Sequence, residues 1–232
     1  MPGVDRAEAS RTAHGELLLY NPLAEHALDE AIDLLALPPG ARVLDVACGR
    51  AEVLRRVAAR YDVEPAGYDA DRALVEAAPA ELNVTVAERP PDRTFDLVIC
   101  IASSHALGGF PDAFGALHDL VEPGGQVLLG EGYWRRPPTE EYLDALGGAT
   151  ADELSDYQGL MRAGEDAGFT PLYASVASDA DWDRYEWTQI LNSERNGHPV
   201  LRERAQQARR RLTMPGGRDT LGFALVVLTR HA

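Results

Sequence analysis

The feature that most constrains this chain is the alternation of short apolar segments with amphipathic helical segments along its length. The apolar segment ARVLDVA at 41–47 is typical of a strand buried on both faces, and a glycine-containing turn connects it to a helical segment at 51–61. Parallel strands joined by helices cross over with a single hand. This order therefore predicts an α/β fold with a doubly wound sheet and helices on both faces.

The same alternation continues beyond this first unit. Further strands are predicted at 63–68, 83–87, 95–102, 126–131, 171–177 and 220–229. Further helices are predicted at 23–37, 72–78, 111–121 and 151–167. A chain of 232 residues with one such series suits a single domain.

Three segments fall outside the alternation and are expected to surround the sheet. Residues 1–22 are mostly polar and predict an N-terminal arm or lid. Residues 132–149 predict a loop with a short helix, and residues 179–212 predict a helical insertion. We therefore expect residues 23–232 to form one domain in which the last two segments make a partial cap.

Composition excludes several classes of function. Acidic residues outnumber basic ones by 37 to 22, and the net charge of −15 disfavours a nucleic-acid partner. The chain has no lysine, which rules out Schiff-base chemistry and the P-loop lysine, and its two cysteines cannot form a four-cysteine zinc site. No apolar run is long enough to span a membrane, so we expect a cytoplasmic protein without a membrane partner. The basic stretch at 202–211 is expected to be a solvated helix face.

The turn after the first strand is the most specific segment, VLDVACGRAEVL. Ligands of such sheets bind beyond the carboxyl ends of the strands, and small residues let them approach the backbone and a helix N-terminus. A carboxylate at the end of the second strand can accept both hydroxyls of a ribose. Asp69 stands there, with Asp71 as the substitute.

Taken in order, LDVACG, GYD and EPGGQVLL resemble the motifs of class I S-adenosylmethionine-dependent methyltransferases, and SSHALGG and GEGYW resemble a subgroup of small bacterial members. The resemblance implies a Rossmann-like fold with seven strands, the last antiparallel, and S-adenosyl-L-methionine as cofactor. Ala47 and Ala51 stand where the family usually has glycine, and we expect alanine to enter the helix at negative φ. The expected cofactor contacts are Tyr20, Asp45, Ala47, Cys48, Gly49, Asp69, Ala70, Ala87, Glu88, Ile101, Ala102 and Ser103.

The implied reaction is an in-line displacement, which requires alignment of the reacting atoms and no metal ion. His105 follows the fourth strand and is the candidate base for the acceptor's proton; the structural alternative is that it orders its own loop. Glu131 is the second catalytic candidate, as a group that orients the acceptor or the cationic donor, and its structural alternative is a turn cap. The aromatic residues expected to line an acceptor pocket, or else to pack in the core, are Tyr133, Trp134, Trp182 and Tyr185.

These features predict methyl transfer to an oxygen or nitrogen atom of a small molecule, in secondary metabolism, because the extra segments are short and aromatic. Two other functions stay open. One is a non-catalytic module of the same fold that binds the cofactor or a metabolite. The other is an NAD(P)-dependent oxidoreductase, although Arg50 and Glu52 fit its G-x-G-x-x-G turn poorly. A homodimer also stays open.

Overall fold

The computed structural model describes residues 5–231, which form one seven-stranded sheet in the order β3-β2-β1-β4-β5-β7-β6. Strands β1 to β5 pair in parallel, whereas β7 runs antiparallel to both β5 and β6. This confirms the doubly wound α/β fold with an antiparallel terminal strand. The strands are β1 Ala41–Val46, β2 Val63–Asp69, β3 Val84–Val86, β4 Phe95–Ile101, β5 Val121–Trp134, β6 Phe169–Val176 and β7 Leu221–Arg230.

Nine α-helices lie within the described residues and cover the sheet or extend its carboxyl-end rim. They are α1 Arg6–His14, α2 Glu25–Asp33, α3 Glu52–Arg60, α4 Arg72–Ala77, α5 Ala113–Leu120, α6 Glu140–Ala145, α7 Tyr157–Asp166, α8 Asp179–Asn196 and α9 Pro199–Thr213. None of these helices is both long and apolar enough to cross a membrane.

The central strand β4 separates two hydrophobic cores, because successive strand residues point to opposite faces. Leu97 and Ile99 pack with α2 and α3 on one face, whereas Val98 and Cys100 pack with α5 and α7 on the other. All four side chains are fully buried. The uninterrupted apolar run of β4 from Leu97 to Cys100 is thus explained by burial on both sides.

Two predicted helices are shorter in the structure. The helix expected at 23–37 ends at Asp33, because the Ala36 N–H donates to the Gln126 side chain (2.7 Å) and draws the chain towards the sheet. The helix expected at 151–167 begins only at Tyr157, where the Asp156 side chain caps it by accepting the Gly159 N–H (2.7 Å).

Strand β5 is longer than the predicted segment at 126–131. It pairs with β7 continuously from Gln126–Thr229 to Trp134–Leu221. Tyr133 and Trp134 therefore lie in the strand rather than in the loop expected after it, which corrects the start of that loop. The antiparallel partner that extends the strand lies about 90 residues further along the chain, so no local signal marks the extension.

The N-terminal arm contains a helix, α1, and is tied to the helical insertion. The Asn192 side chain donates to the Ala13 carbonyl (3.0 Å), and the Tyr185 hydroxyl lies 3.0 Å from the Tyr20 carbonyl. The insertion itself consists of α8 and α9 packed together. Residues 1–4 of the arm, like Ala232, lie outside the described residues.

We expect Tyr68→Phe to raise the free energy of unfolding by about 1 kcal/mol, because the buried Tyr68 hydroxyl has no hydrogen-bond partner among the described residues. Its control is Tyr61→Phe. The Tyr61 hydroxyl lies 2.8 Å from the Ile32 carbonyl and 2.9 Å from the Leu35 carbonyl, so its loss should lower that free energy by about 1 kcal/mol. Urea unfolding of the unliganded proteins measures both changes. A less stable Tyr68→Phe variant would contradict the expectation.

Candidate active site

A cavity of about 480 Å³ lies at the carboxyl ends of β1, β2 and β4 and extends under the N-terminal arm. This is the position at which doubly wound sheets bind ligands, because the strand order reverses there and helices diverge from the crevice. Eleven of the twelve expected cofactor residues line the cavity: Tyr20, Asp45, Ala47, Cys48, Gly49, Asp69, Ala70, Ala87, Glu88, Ile101 and Ala102.

The twelfth, Ser103, does not line the cavity. Its side chain is buried, with the hydroxyl 3.4 Å from the Cys100 sulfur. Strand β4 ends at Ile101, and Ala102 then adopts a φ of 56°, so the chain bends before Ser103 and turns it into the protein.

The turn after β1 has an unusual backbone. Ala47, Gly49 and Ala51 have φ values of 47°, 56° and 59°, which corrects the expectation that the two alanines enter the helix at negative φ. The left-handed conformation costs an alanine on the order of 1–2 kcal/mol. Closure of the turn enforces it, since the Ala51 N–H donates to the Cys48 carbonyl (2.8 Å) and the Cys48 N–H donates to the Tyr68 carbonyl (2.9 Å).

Gly49 gives this turn an open face. A methyl group added there would meet only the Leu74 side chain, at 4.0 Å, so the space above the Gly49 backbone is free. A bound molecule can therefore approach the main chain closely at this point.

Asp69 ties the end of β2 to this turn. One carboxylate oxygen accepts the Gly49 N–H (2.8 Å) and the other accepts the Asp71 N–H (2.8 Å). Each carboxylate oxygen can accept a second hydrogen bond, so both remain able to accept hydroxyls from the cavity. Asp71 caps α4, forms an ion pair with Arg11 and does not line the cavity. It is therefore not placed to bind a ribose instead of Asp69.

Asp45 lies at the floor of the cavity and is almost fully buried. Burial, with a further contribution from the nearby Asp69 charge, raises the pKa of the Asp45 carboxyl to about 8, against the effect of the Leu54 N–H. The Asp45 side chain is therefore mostly protonated at neutral pH. A cation bound beside it would favour its ionised form.

The arm closes the cavity with an aromatic pair. The Tyr20 and His14 rings are stacked with centroids 4.0 Å apart, and the His14 Nε2 lies 2.9 Å from the Tyr185 hydroxyl. Burial is the main reason why the pKa of His14 falls to about 4, so this ring is neutral at pH 7. Arg50 lies over Tyr20 at 5.6 Å and donates to the Leu17 carbonyl (2.6 Å).

Several residues of this closure were not predicted as site residues. They are Ser10, His14, Leu18, Leu19, Asn21 and Arg50. The spacing of Ser10 and His14 places both on one face of a helix and could have singled them out, but only together with a correct prediction of α1. No pattern in the sequence indicates that His14 meets Tyr185, 171 residues away.

The two catalytic candidates are placed differently. His105 lies exposed on the short turn Ser104–Leu107 and lines the cavity. Glu131 is buried inside β5, accepts the Gly132 N–H (2.9 Å) and does not line the cavity. Burial also raises the pKa of the Glu131 carboxyl. The structure thus brings His105, and not Glu131, to the site.

None of the four aromatic residues expected in an acceptor pocket lines this cavity. The buried Trp134 indole donates to the Ala151 carbonyl (2.8 Å), and the Tyr133 ring packs against Tyr157 at 5.5 Å. Trp182 and Tyr185 lie on one face of α8 with ring centroids 6.3 Å apart. Tyr185 contacts the closure of the cavity, through His14 and the Tyr20 carbonyl.

No group of three or more histidine, cysteine or acidic side chains within residues 5–231 is arranged to hold a metal ion. The polar groups that line the cavity include carboxylates, hydroxyls, an amide, two imidazoles and one guanidinium. These groups suit an organic ligand with hydroxyl and cationic groups.

Known proteins resemble the chain over this region and beyond it. A protein-family model described as a methyltransferase domain matches residues 20–172. The uncharacterized protein YjhP of Escherichia coli is 29% identical over 196 residues, which is 79% of this chain and 79% of that protein. Its crystal structure superposes with a TM-score of 0.84 at 24% identity, covering 96% of this chain and 99% of that one.

Two further relatives carry functional names. A methyltransferase of Geobacter sulfurreducens, solved in complex with S-adenosyl-L-homocysteine, superposes with a TM-score of 0.82 at 22% identity over 99% of this chain and 100% of that one. Phosphoethanolamine N-methyltransferase 1 of Arabidopsis thaliana is 28% identical over 181 residues. That alignment covers 71% of this chain but only 35% of the plant enzyme.

The raised pKa of Asp45 predicts a pH dependence of stability. The folded protein holds this proton up to about pH 8, whereas the unfolded chain releases it near 3.8, so stability falls as the pH rises between these values. In Asp45→Asn this loss of stability should be smaller than in the parent protein by more than about 1 kcal/mol, since a pKa shift of one unit corresponds to about 1.4 kcal/mol. Urea unfolding at pH 5 and pH 8.5 tests this. Equal losses in the variant and the parent protein would contradict it.

Proposed function

Since the chain belongs to the S-adenosylmethionine-dependent methyltransferase family, we propose that it transfers a methyl group from S-adenosylmethionine to an oxygen or nitrogen atom of a small molecule. The observation that carries the proposal is the cavity at the carboxyl ends of β1, β2 and β4, with the open Gly49 backbone and the Asp69 carboxylate at its edge. Membership of this family sets aside the NAD(P)-dependent oxidoreductase considered from the sequence.

The lining of the cavity fits the parts of this cofactor. Asp69 retains acceptor capacity for the two ribose hydroxyls, and the free space at Gly49 admits the nucleoside against the main chain. Asp45 becomes ionised beside a cation and so suits the ammonium group of the methionine part. The Tyr20 ring also lines the cavity, but it is stacked on His14 and lies beneath Arg50, so its contribution is closure of the cavity.

When bound, the cofactor supplies a methyl carbon already activated by a positively charged sulfur. The protein has to hold the acceptor in line with that carbon and to exclude water, for which the stacked Tyr20 and His14 rings close the cavity. The exposed His105 imidazole lies at the cavity rim and accepts the proton that an acceptor hydroxyl or ammonium loses.

The N-terminal arm, which lies over the cavity, favours a small acceptor. Arg11–Asp71, Arg50–Leu17 and Asn192–Ala13 contacts hold the arm across the cavity, which leaves little room for a polymer. The net charge of −15 disfavours RNA. The name of the Arabidopsis thaliana relative, a phosphoethanolamine N-methyltransferase, supports a small acceptor with nitrogen as one acceptor atom.

Asp69→Ala should weaken cofactor affinity about 10-fold or more, because a charge-assisted hydrogen bond contributes about 1.5–3 kcal/mol. Calorimetry with S-adenosyl-L-homocysteine measures the affinity. The control is Asp71→Ala, which removes a nearby carboxylate that does not line the cavity, and its effect should be smaller. Equal affinities of the parent protein and Asp69→Ala would refute Asp69 as the ribose ligand.

His105→Ala should lower kcat about 100-fold, a typical contribution of general-base catalysis, while cofactor affinity stays unchanged. Methyl transfer from isotopically labelled cofactor to a panel of small alcohols and amines measures kcat. If His105 only orders its loop, cofactor affinity falls together with kcat. Cofactor binding without any transfer to the panel would favour the non-catalytic module.

A further inference from the structure

A second cavity, of about 580 Å³, lies between α1, α8, α9 and the end of α6. It adjoins the cofactor cavity, because Ser10 lines both. Its apolar wall includes Leu146, Ile190 and Ala205, and its charged lining includes three arginines and two glutamates.

The charges of this second cavity do not cancel. Arg211 and Glu186 form a buried ion pair with each other. Arg6, Arg204 and Glu203 remain, so the lining keeps an excess of one positive charge, in a chain whose net charge is −15. A basic cavity in an acidic protein attracts an anion locally, although the protein as a whole repels anions at long range.

Arg204 is the residue that stands out. Within residues 5–231, every other arginine that is half-buried or more has an ion pair or a hydrogen bond, whereas none is found for Arg204. A guanidinium that has lost part of its water without gaining a partner is unfavourable unless a ligand supplies one. Part of the 202–211 stretch therefore faces a cavity, which corrects the expectation of a wholly solvated face.

Helix α1 connects the two cavities. Arg6, Ser10 and His14 are spaced by four residues and share one face of α1. Along this face, Arg6 lines the second cavity, Ser10 lines both and His14 lines the cofactor cavity.

The contact between His14 and Tyr185 forms part of the wall between the cavities. His14 faces the cofactor cavity and Tyr185 faces the second one, with the His14 Nε2 2.9 Å from the Tyr185 hydroxyl. The Arg204 charge acts on both groups. Burial is the main cause that lowers the pKa of His14, and Arg204 adds to it; burial raises the pKa of Tyr185, and Arg204 opposes that rise. Arg204 thus lies close to the wall rather than at the far end of the second cavity.

We propose that the second cavity binds the anionic end of the methyl acceptor, with Arg204 as its ligand and Arg6 at its mouth. This inference rests on the proposed function. The acceptor is then a small molecule with a phosphate or carboxylate at one end, and its nucleophilic atom reaches past Ser10 towards the cofactor cavity. A guanidinium presents a planar set of donors that suits either anion.

Inorganic phosphate tests the anion site without any transfer reaction. At constant ionic strength, phosphate should raise the Tm of the parent protein and of Arg202→Gln, and should not raise the Tm of Arg204→Gln. Arg202 is the matched control, because it is exposed on the same helix and does not line the cavity. Arg204→Gln should fold, since its side chain has no bond to lose. An equal rise in Arg204→Gln, or no rise in the parent protein, would overturn the proposal.

Paired acceptors test the role of the site in catalysis. We compare methyl transfer to three sets of amines and alcohols: one with a phosphate, one with a carboxylate and one with neither. The two anionic sets show which anion the site prefers. Arg204→Gln should raise KM for the anionic members about 10- to 100-fold, leave the neutral members unchanged and preserve affinity for S-adenosyl-L-homocysteine. A uniform change in KM would overturn the proposal. If no acceptor is methylated, the proposed methyltransferase function is contradicted. The anion site is judged separately, by the phosphate titration.

Discussion

The site depends on the way that the ends of β1 and β2 are held together. Their parallel register continues to Val46–Tyr68, and the N–H of Cys48, two residues further on, still donates to the Tyr68 carbonyl. Asp69 then receives the Gly49 N–H. These bonds fold the chain back above the sheet, so they decide where the open backbone of Gly49 lies and which way the Asp69 carboxylate faces.

The same bonds explain why two alanines tolerate positive φ. Each alanine costs more than glycine in this conformation, but the Cβ of Ala51 is fully buried against the core around α3 and recovers part of that cost. The turn combines backbone strain with a protonated, buried Asp45 beneath it. Strain and a raised pKa in one place are typical of sites where a ligand supplies the missing stabilisation.

The sequence predicts the sheet, and most residues that line the cavity at the carboxyl ends of β1, β2 and β4, because their signals are local. A strand, its turn and the next helix occupy adjacent residues, so the positions of Gly49 and Asp69 follow from spacing alone. Features set by distant contacts were missed: the extension of β5 by β7, the pairing of His14 with Tyr185 and the lid helix α1. For Tyr133 and Trp134 the structure shows the alternative of packing, because both lie in β5, where Trp134 is buried and Tyr133 packs against the core.

Helix α1 gives the lid a part in recognition as well as in closure. A lid that carried only apolar residues would exclude water and nothing more, whereas this one presents Arg6, Ser10 and His14 along the face that borders both cavities. An acceptor that bridges Arg204 and the cofactor cavity would contact that face along its length. Its binding would therefore hold α1 in place, and closure over the donor would be coupled to the presence of the acceptor. Such coupling excludes water from the reactive sulfonium once the nucleophile is in position.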